Sequence, residues 1–323
     1  MLYPLTFEPI FQERVWGGRR LETLFNKPLP PAQLIGESWE ISDRPDAVSV
    51  IANGPLAGRD LRWLMENHAE KLLGEISEHD ERFPWLAKLL DANEDLSVQV
   101  HPPANIAPSL GGEPKTEAWH ITQAEPSARL IAGLKSGTTS ENFEARLGQP
   151  DFPSCLHEIS AHEGNSIFIP SGRLHALGAG TVVFEIQQNS DTTFRVFDWN
   201  RNGMDGKPRE LHVDEALQSI DFNDIEPRAL PPTWDSATDH SFQTIADEKA
   251  VFRIDHVRLD SAGSVPLPGQ GMRMLALTRG QIILDGTQET LTLARGQFAL
   301  VPASVEAPVV QGDGAQFLLT QAA

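Results

Sequence analysis

The chain has 323 residues, of which 45 are acidic and 26 basic, giving a formal net charge of −19. With 40% hydrophobic and 22% charged residues it has globular composition, which excludes a largely disordered chain, and its length suits two domains or one large one. A pI near 4.9 excludes generic nucleic-acid binding, and an anionic substrate has to be drawn in by a few local cations against the overall field.

The N-terminal residues, Met-Leu-Tyr-Pro-Leu-Thr-Phe-Glu, have no basic segment leading into an apolar one, so a secretory signal is not expected. No stretch approaches the ~20 apolar residues that span a bilayer. Cys155 is the single cysteine, which leaves no disulfide framework and makes a reducing compartment the default. A soluble, cytoplasmic protein with no membrane partner is expected.

Most of the helical signal falls in residues 58–92, where apolar residues recur at three- and four-residue spacing up to Leu73 and Gly74 provides a stop. The stretch Leu96-Ser97-Val98-Gln99-Val100-His101-Pro102 then alternates as a strand. Gln99 and His101 share its polar face with bases about 7 Å apart, which suits two ligands of one ion and equally suits a hydrogen-bonded polar strand face. Lys115-Thr116-Glu117-Ala118-Trp119-His120-Ile121 puts Glu117, Trp119 and Ile121 on one face, with Lys115 joining them if the strand begins early enough, and His120 on the other, outside any site built there. Residues 138–147 read as a short helix, with Thr138 and Glu141 at capping-box spacing and Gly148 as a C-terminal cap.

Elsewhere the chain reads as short strands punctuated by Gly, Pro, Asn and Asp, the pattern of a β-sandwich or barrel. Gly164-Asn165-Ser166-Ile167-Phe168-Ile169-Pro170 leads to His175, five residues past the proline, where a turn can aim the imidazole into a barrel mouth. In the next strand Glu185 and Gln187 lie opposite Phe184 and Ile186. Ser190-Asp191 is a turn, and Arg195 begins the returning strand, so Glu185 and Arg195 are expected across a hairpin, as an ion pair or as two sides of one pocket. The run from Leu230 through Pro231 and Pro232 to His240 is the linker candidate, and from Val251 the chain is strand-like again. There Gly296-Gln297-Phe298-Ala299-Leu300-Val301-Pro302 repeats the earlier Gly-strand-Pro unit, with Ala307 where the first copy has His175. Two related β-barrels are expected, with the chemistry in the first.

His101, Glu117 and His175, with Gln99 beside them, are thus a candidate metal-ligand set on strands. Imidazole and carboxylate donors suit Zn²⁺, Fe²⁺ or Mn²⁺, and the lack of thiolates points to a catalytic site.

Taken together, Trp16-Gly17-Gly18, Gly36-Glu37-Ser38-Trp39-Glu40-Ile41-Ser42, Leu96 through Pro102, Lys115-Thr116-Glu117, Phe168 through Gly180 and Glu185 through Trp199 resemble the short-form, type I phosphomannose isomerases. The resemblance implies a mostly β, cupin-type (jelly-roll) fold. A catalytic barrel over residues 1–235 would carry a helical segment at about 58–92, and residues 240–323 would form a smaller metal-free second barrel. It implies one Zn²⁺ per chain on Gln99, His101, Glu117 and His175, with Gln99 the least secure ligand. The family's catalytic arginine falls on Arg195, its active-site lysine on Lys115 and an active-site glutamate on Glu185. The implied reaction interconverts mannose 6-phosphate and fructose 6-phosphate through a cis-enediol, with a small sugar phosphate as the partner molecule. Two departures concern the pocket rim: Pro102-Pro103-Ala104 replaces the usual Pro-Asp-Asp, and Pro114 precedes Lys115. They leave open an isomerase of an unphosphorylated aldose. A non-haem Fe(II) cupin oxygenase and a non-catalytic sugar-binding cupin would also accommodate a His₂Glu set. Trp16 and Trp39 are either pocket walls or packing of an N-terminal β-segment.

Overall fold

The computed structural model describes residues 2–74, 81–249, 251–269, 271–285 and 290–322. Two facing antiparallel sheets form its first half. The larger has six strands in the order Ile10–Gly18, Ile35–Ile41, Trp85–Ala92, Thr181–Gln188, Glu117–Ala124 and Ser166–Ile169. The smaller has five, in the order Phe194–Phe197, Val98–Val100, His175–Leu177, Arg129–Leu134 and Leu156–Ser160. The second half repeats the plan. Its six-stranded sheet ends on Arg273–Arg279 and Phe298–Val301, and faces a four-stranded sheet of Gly263–Pro266, Val309–Gly312, Gln281–Asp285 and Leu291–Ala294.

The two copies of the Gly-strand-Pro unit occupy the same place. Ser166–Ile169 and Phe298–Val301 each close one end of a six-stranded sheet, and each follows a left-handed glycine, Gly164 at φ 87° and Gly296 at φ 83°.

Side-chain alternation decides what each face meets. One face of the larger first sheet, with Ala87, Leu89, Ala118, Phe184 and Ile186, packs in a single apolar cluster with Ile254, Met274, Phe298, Leu300 and Leu318 from the second half. The opposite face turns inward, toward the smaller sheet, and carries Lys88, Glu117, Trp119 and Glu185 beside Leu90 and Val183. The outer face of the smaller sheet is covered by the helices Ser140–Arg146 and Val213–Ser219, whose Phe143 and Ala216 join Val98, Val100 and Ala176.

Three local expectations need correction. The expected helical segment at 58–92 is a helix only over Leu61–Leu73, capped by the Asp60 carboxylate accepting from the Trp63 amide at 2.7 Å. Residues 75–80 of that segment lie outside the described residues, and Trp85–Ala92 is a strand. All eight of its residues are buried, and a strand covered on both faces gives a continuous apolar run that periodicity cannot separate from a helix. The capping box of the later helix lies one residue further on, between Thr139 and Asn142. Finally, Thr181–Gln188 and Phe194–Phe197 belong to different sheets. Glu185 pairs in register with Lys88 and Trp119, and Arg195 with Gln99. They form no hairpin ion pair, because the chain crosses between sheets at Asn189-Ser190-Asp191 instead of reversing within one.

Candidate active site

The interior face of the first half assembles the site. Val98 and Val100 turn outward into the apolar cluster, which obliges Gln99 to point inward and places His101 at the strand's end on the same side. His175 opens the neighbouring strand and is in register with Gln99. Glu117 comes from the opposite sheet.

Among the described residues, His101, Glu117 and His175 are the group whose donor atoms all lie within 4.8 Å of one another. His101 Nε2 is 3.4 Å from Glu117 Oε2, His175 Nε2 is 3.4 Å from Glu117 Oε1, and all three side chains are buried. His175 Nδ1 donates to the Arg173 carbonyl at 2.9 Å, which leaves Nε2 as a lone pair facing the carboxylate. Burial keeps both imidazoles neutral. It pulls the His101 pKa down to about 3, with Lys115 adding to the effect, and lowers that of His175. Burial alone would raise the Glu117 pKa, but Lys115 and the two imidazoles hold it well below the usual carboxylate range.

The buried Glu117 carboxylate is met by the Lys115 ammonium and the two imidazoles. Lys115 supplies one cation, against Glu117 and His101, and the three converging imidazole and carboxylate donors are also of the kind and spacing that fit a divalent metal. Gln99 lies alongside, its amide nitrogen 3.3 Å from His175 Nε2 and its Oε1 accepting from Ser97 Oγ at 3.3 Å.

Lys115 stands between the triad and open space. Its Nζ is 3.0 Å from Glu117 Oε2 and 3.1 Å from His101 Nε2, and it lines a cavity of about 440 Å³. Gln99, Trp16, Trp119, Glu185 and Arg195 line the same cavity, so Glu185 and Arg195 are two sides of one pocket. Trp16 is a wall. Trp39 is not: its indole donates to Glu37 Oε2 at 2.7 Å. The glycines of the first motif permit this wall, since a Cβ on Gly17 would come within 2.5 Å of the Gly36 backbone nitrogen.

Sequence reasoning missed two parts of the site. The first is a chain of alternating charges. Arg14 Nε lies 2.7 Å from Glu37 Oε1, Lys88 Nζ 3.5 Å from Glu37 Oε2, and Lys88 Nζ 3.1 Å from Glu185 Oε1. The Trp119 indole donates to Glu185 Oε2 at 2.8 Å. Burial favours neutral Lys88, but Glu185 and Glu37 outweigh it and raise its pKa. Glu37 is lowered to about 2, its burial overcome by Lys88 and Arg14. Burial, only partly offset by Lys88, raises the carboxyl of Glu185. A usable signal existed in Lys88, the one cation in a strand that is apolar apart from it and Asp91.

The second missed part is cationic. Asp198 is shared between Arg201, at 2.9 Å, and Arg209, at 2.5 Å. Arg195 donates to the Glu210 carbonyl at 2.8 Å and to Ser97 Oγ at 3.3 Å. Burial and then Arg209 lower its pKa. Three guanidiniums gather around Asp198, with Glu94 3.6 Å from Arg201, and two of them, Arg195 and Arg209, line the cavity.

His120, set aside by alternation, is indeed on the other face, its ring 4.4 Å from that of His256 in the second half.

Comparison with known proteins agrees in sequence and in fold. The model of the phosphomannose isomerase type I catalytic domain matches residues 5–116. The chain is 42% identical over 228 residues to the probable mannose-6-phosphate isomerase GmuF of Bacillus subtilis strain 168, covering 70% of this chain and 71% of that one. It is 33% identical over 315 residues to the mannose-6-phosphate isomerase of Streptococcus mutans, covering 97% and 96%. The crystal structure of mannose 6-phosphate isomerase from Bacillus subtilis superposes with a TM-score of 0.89 at 28% identity, covering 99% of this chain and all of the other.

Proposed function

This chain belongs to the type I phosphomannose isomerases, and on that premise we propose how its residues divide the work of an aldose–ketose isomerase. The protein interconverts mannose 6-phosphate and fructose 6-phosphate by moving a proton between C1 and C2 of the open-chain sugar through a cis-enediol.

His101, Glu117 and His175 hold one divalent metal, with Gln99 as a fourth donor when its amide presents oxygen; the mixed imidazole and carboxylate set suits Zn²⁺. A metal bound there would supply Lewis-acid polarisation of the substrate oxygens and offset developing negative charge.

Arg195 and Arg209 seat the phosphate. They are the cavity-lining members of the arginine cluster around Asp198. Lys115, between the triad and the cavity, balances charge developing at C1 and C2. Glu185 carries the proton: it lines the cavity, Trp119 and Lys88 orient its carboxylate, and burial raises its pKa. Trp16 and Trp119 wall the pocket. The chemistry therefore resides in residues 1–235, and residues 240–323 act as a supporting β domain.

The observation that carries this reading is a buried His₂Glu triad in contact with Lys115, which lines one cavity together with Arg195 and Arg209. A coupled assay of fructose 6-phosphate formation, on chelator-treated and Zn²⁺-loaded protein, tests it. Turnover is lost with chelator and restored by Zn²⁺. Chelator-resistant turnover overturns the metal assignment.

A further inference from the structure

The His175 imidazole owes its orientation to a backbone carbonyl, and that carbonyl belongs to Arg173. The Arg173 side chain is clamped. Its Nε and Nη2 donate to both oxygens of Asp224 at 2.7 and 2.8 Å, and its Nη1 donates to the Phe168 carbonyl at 2.6 Å. Both partners are largely buried, with 15% and 17% of their side chains exposed.

Asp224 is itself fixed to the sheet. Its carbonyl accepts from the Leu134 amide at 2.9 Å, on the strand whose Ala132 is in register with His175. The same turn holds the preceding residue of the loop, since the Asp221 amide donates to the Gly172 carbonyl at 2.9 Å. The Gly172 amide donates to the His101 carbonyl at 2.9 Å, so the loop is tied to both histidines. Gly172 adopts φ 93°, a left-handed conformation that suits glycine.

We propose that Arg173 and Asp224 are positioning residues for the metal: their bidentate pair fixes the Arg173 carbonyl, which sets the tautomer and direction of His175. This rests on the reading of His175 as a metal ligand. Groups that orient a metal-bound imidazole typically contribute 10–100-fold to metal affinity. A planar guanidinium matched to a carboxylate imposes an angle that an ammonium cannot.

The test measures Zn²⁺ affinity by chelator competition and records the visible spectrum of the Co²⁺-substituted protein, for wild type, Arg173→Met, Arg173→Lys and Asp224→Asn. Arg253→Met is the control, because it breaks a comparable bidentate pair, Arg253–Asp255, in the second half. Each of the three loop variants is expected to bind Zn²⁺ about 10–100-fold more weakly. Their Co²⁺ bands are expected to shift, while the control matches wild type and all the apo-proteins melt cooperatively. Asp224→Asn preserves shape and serves if Arg173→Met does not fold. Unchanged affinity and unchanged spectra overturn the proposal, as does an equal loss in the control. His175→Ala separates the two readings. If it binds Zn²⁺ as wild type does, the ligand assignment fails; if it loses Zn²⁺ while the loop variants keep it, only the clamp fails.

Discussion

Replacing Arg195 with methionine tests what the arginine cluster does. The substitution keeps the aliphatic stem and removes one guanidinium from the group of Arg195, Arg201 and Arg209 around Asp198. A unit charge about 4 Å from one phosphate charge interacts by roughly 4 kcal/mol at an effective dielectric near 20. Desolvation consumes part of this, and a hydrogen bond to a charged group nets about 1.5–3 kcal/mol. At about 1.4 kcal/mol per decade, kcat/KM for mannose 6-phosphate is expected to fall about 10–150-fold. Arg209→Met is expected to fall toward the lower end, because Asp198 already neutralises part of that charge. Metal content stays at the wild-type level in both. The discriminating measurement is the same assay with unphosphorylated mannose, whose turnover needs no phosphate seat and is expected to change less than about threefold. An equal loss with both sugars would refute phosphate seating and move Arg195 to the reacting carbons. Unchanged kinetics with the phosphorylated sugar would remove it from the site altogether.

His101→Ala and His175→Ala are each expected to abolish both bound metal and turnover, and full zinc stoichiometry by elemental analysis in either would refute the ligand set. Glu185→Gln keeps the Trp119 and Lys88 contacts nearly isosteric and removes a proton carrier, so kcat is expected to fall about 10²–10⁴-fold with KM little changed; a KM effect alone would reject that role. His256 supplies a pH test of the packing between the two halves. Burial, with help from Arg258, depresses its pKa from 6.5 to about 4. The folded protein therefore keeps it neutral while the unfolded chain takes up a proton, so its contribution is complete above pH 6.5 and is lost as pH falls toward 4. Those values give about 2 kcal/mol of lost stability at pH 5. His256→Gln should lower the urea midpoint at pH 7 but flatten the decline between pH 7 and pH 5. A decline parallel to wild type would show that the imidazole does not titrate as argued.

Legibility in the sequence followed the physics of each element. Strands with one polar and one apolar face declared themselves, so alternation alone placed Gln99 and His101 inward and assigned Glu117 and His120 to opposite sides. The Gly-strand-Pro repeat was legible because the left-handed glycine at its start and the strand-ending proline are backbone requirements. What alternation could not show was pairing across sheets. Glu185 meets Lys88 and Trp119 through register, and register between strands nearly a hundred residues apart has no local signature. The Trp85–Ala92 strand read as helical, and hid Lys88, for a related reason: burial on both faces erases the period that distinguishes strand from helix. Arg209 was hidden differently, in an irregular segment held by a backbone bridge between Asn202 and Pro208, where side-chain direction depends on the loop's own hydrogen bonds.

The two halves share a plan and differ in their interiors, and the difference explains why the chain keeps both. The second interior is filled by Leu275, Leu277, Ile282, Leu284, Leu293, Phe317 and Leu319, while Ala307, at the sequence offset of the ligand histidine in the repeat, is exposed ahead of the strand Val309–Gly312. The first interior buries Glu37, Lys88, Lys115, Glu117 and Glu185, and burying charges costs stability even when they are paired. The back of that charged sheet is the surface sealed by the second half, through Phe184 and Ile186 against Phe298 and Leu300. Apolar burial in the second half and at the junction offsets the strain of a charged interior in the first. A chain cut after residue 235 would expose that sheet's apolar back while retaining every proposed ligand. Loss of the second half is therefore expected to abolish metal binding through unfolding, without removing a single donor.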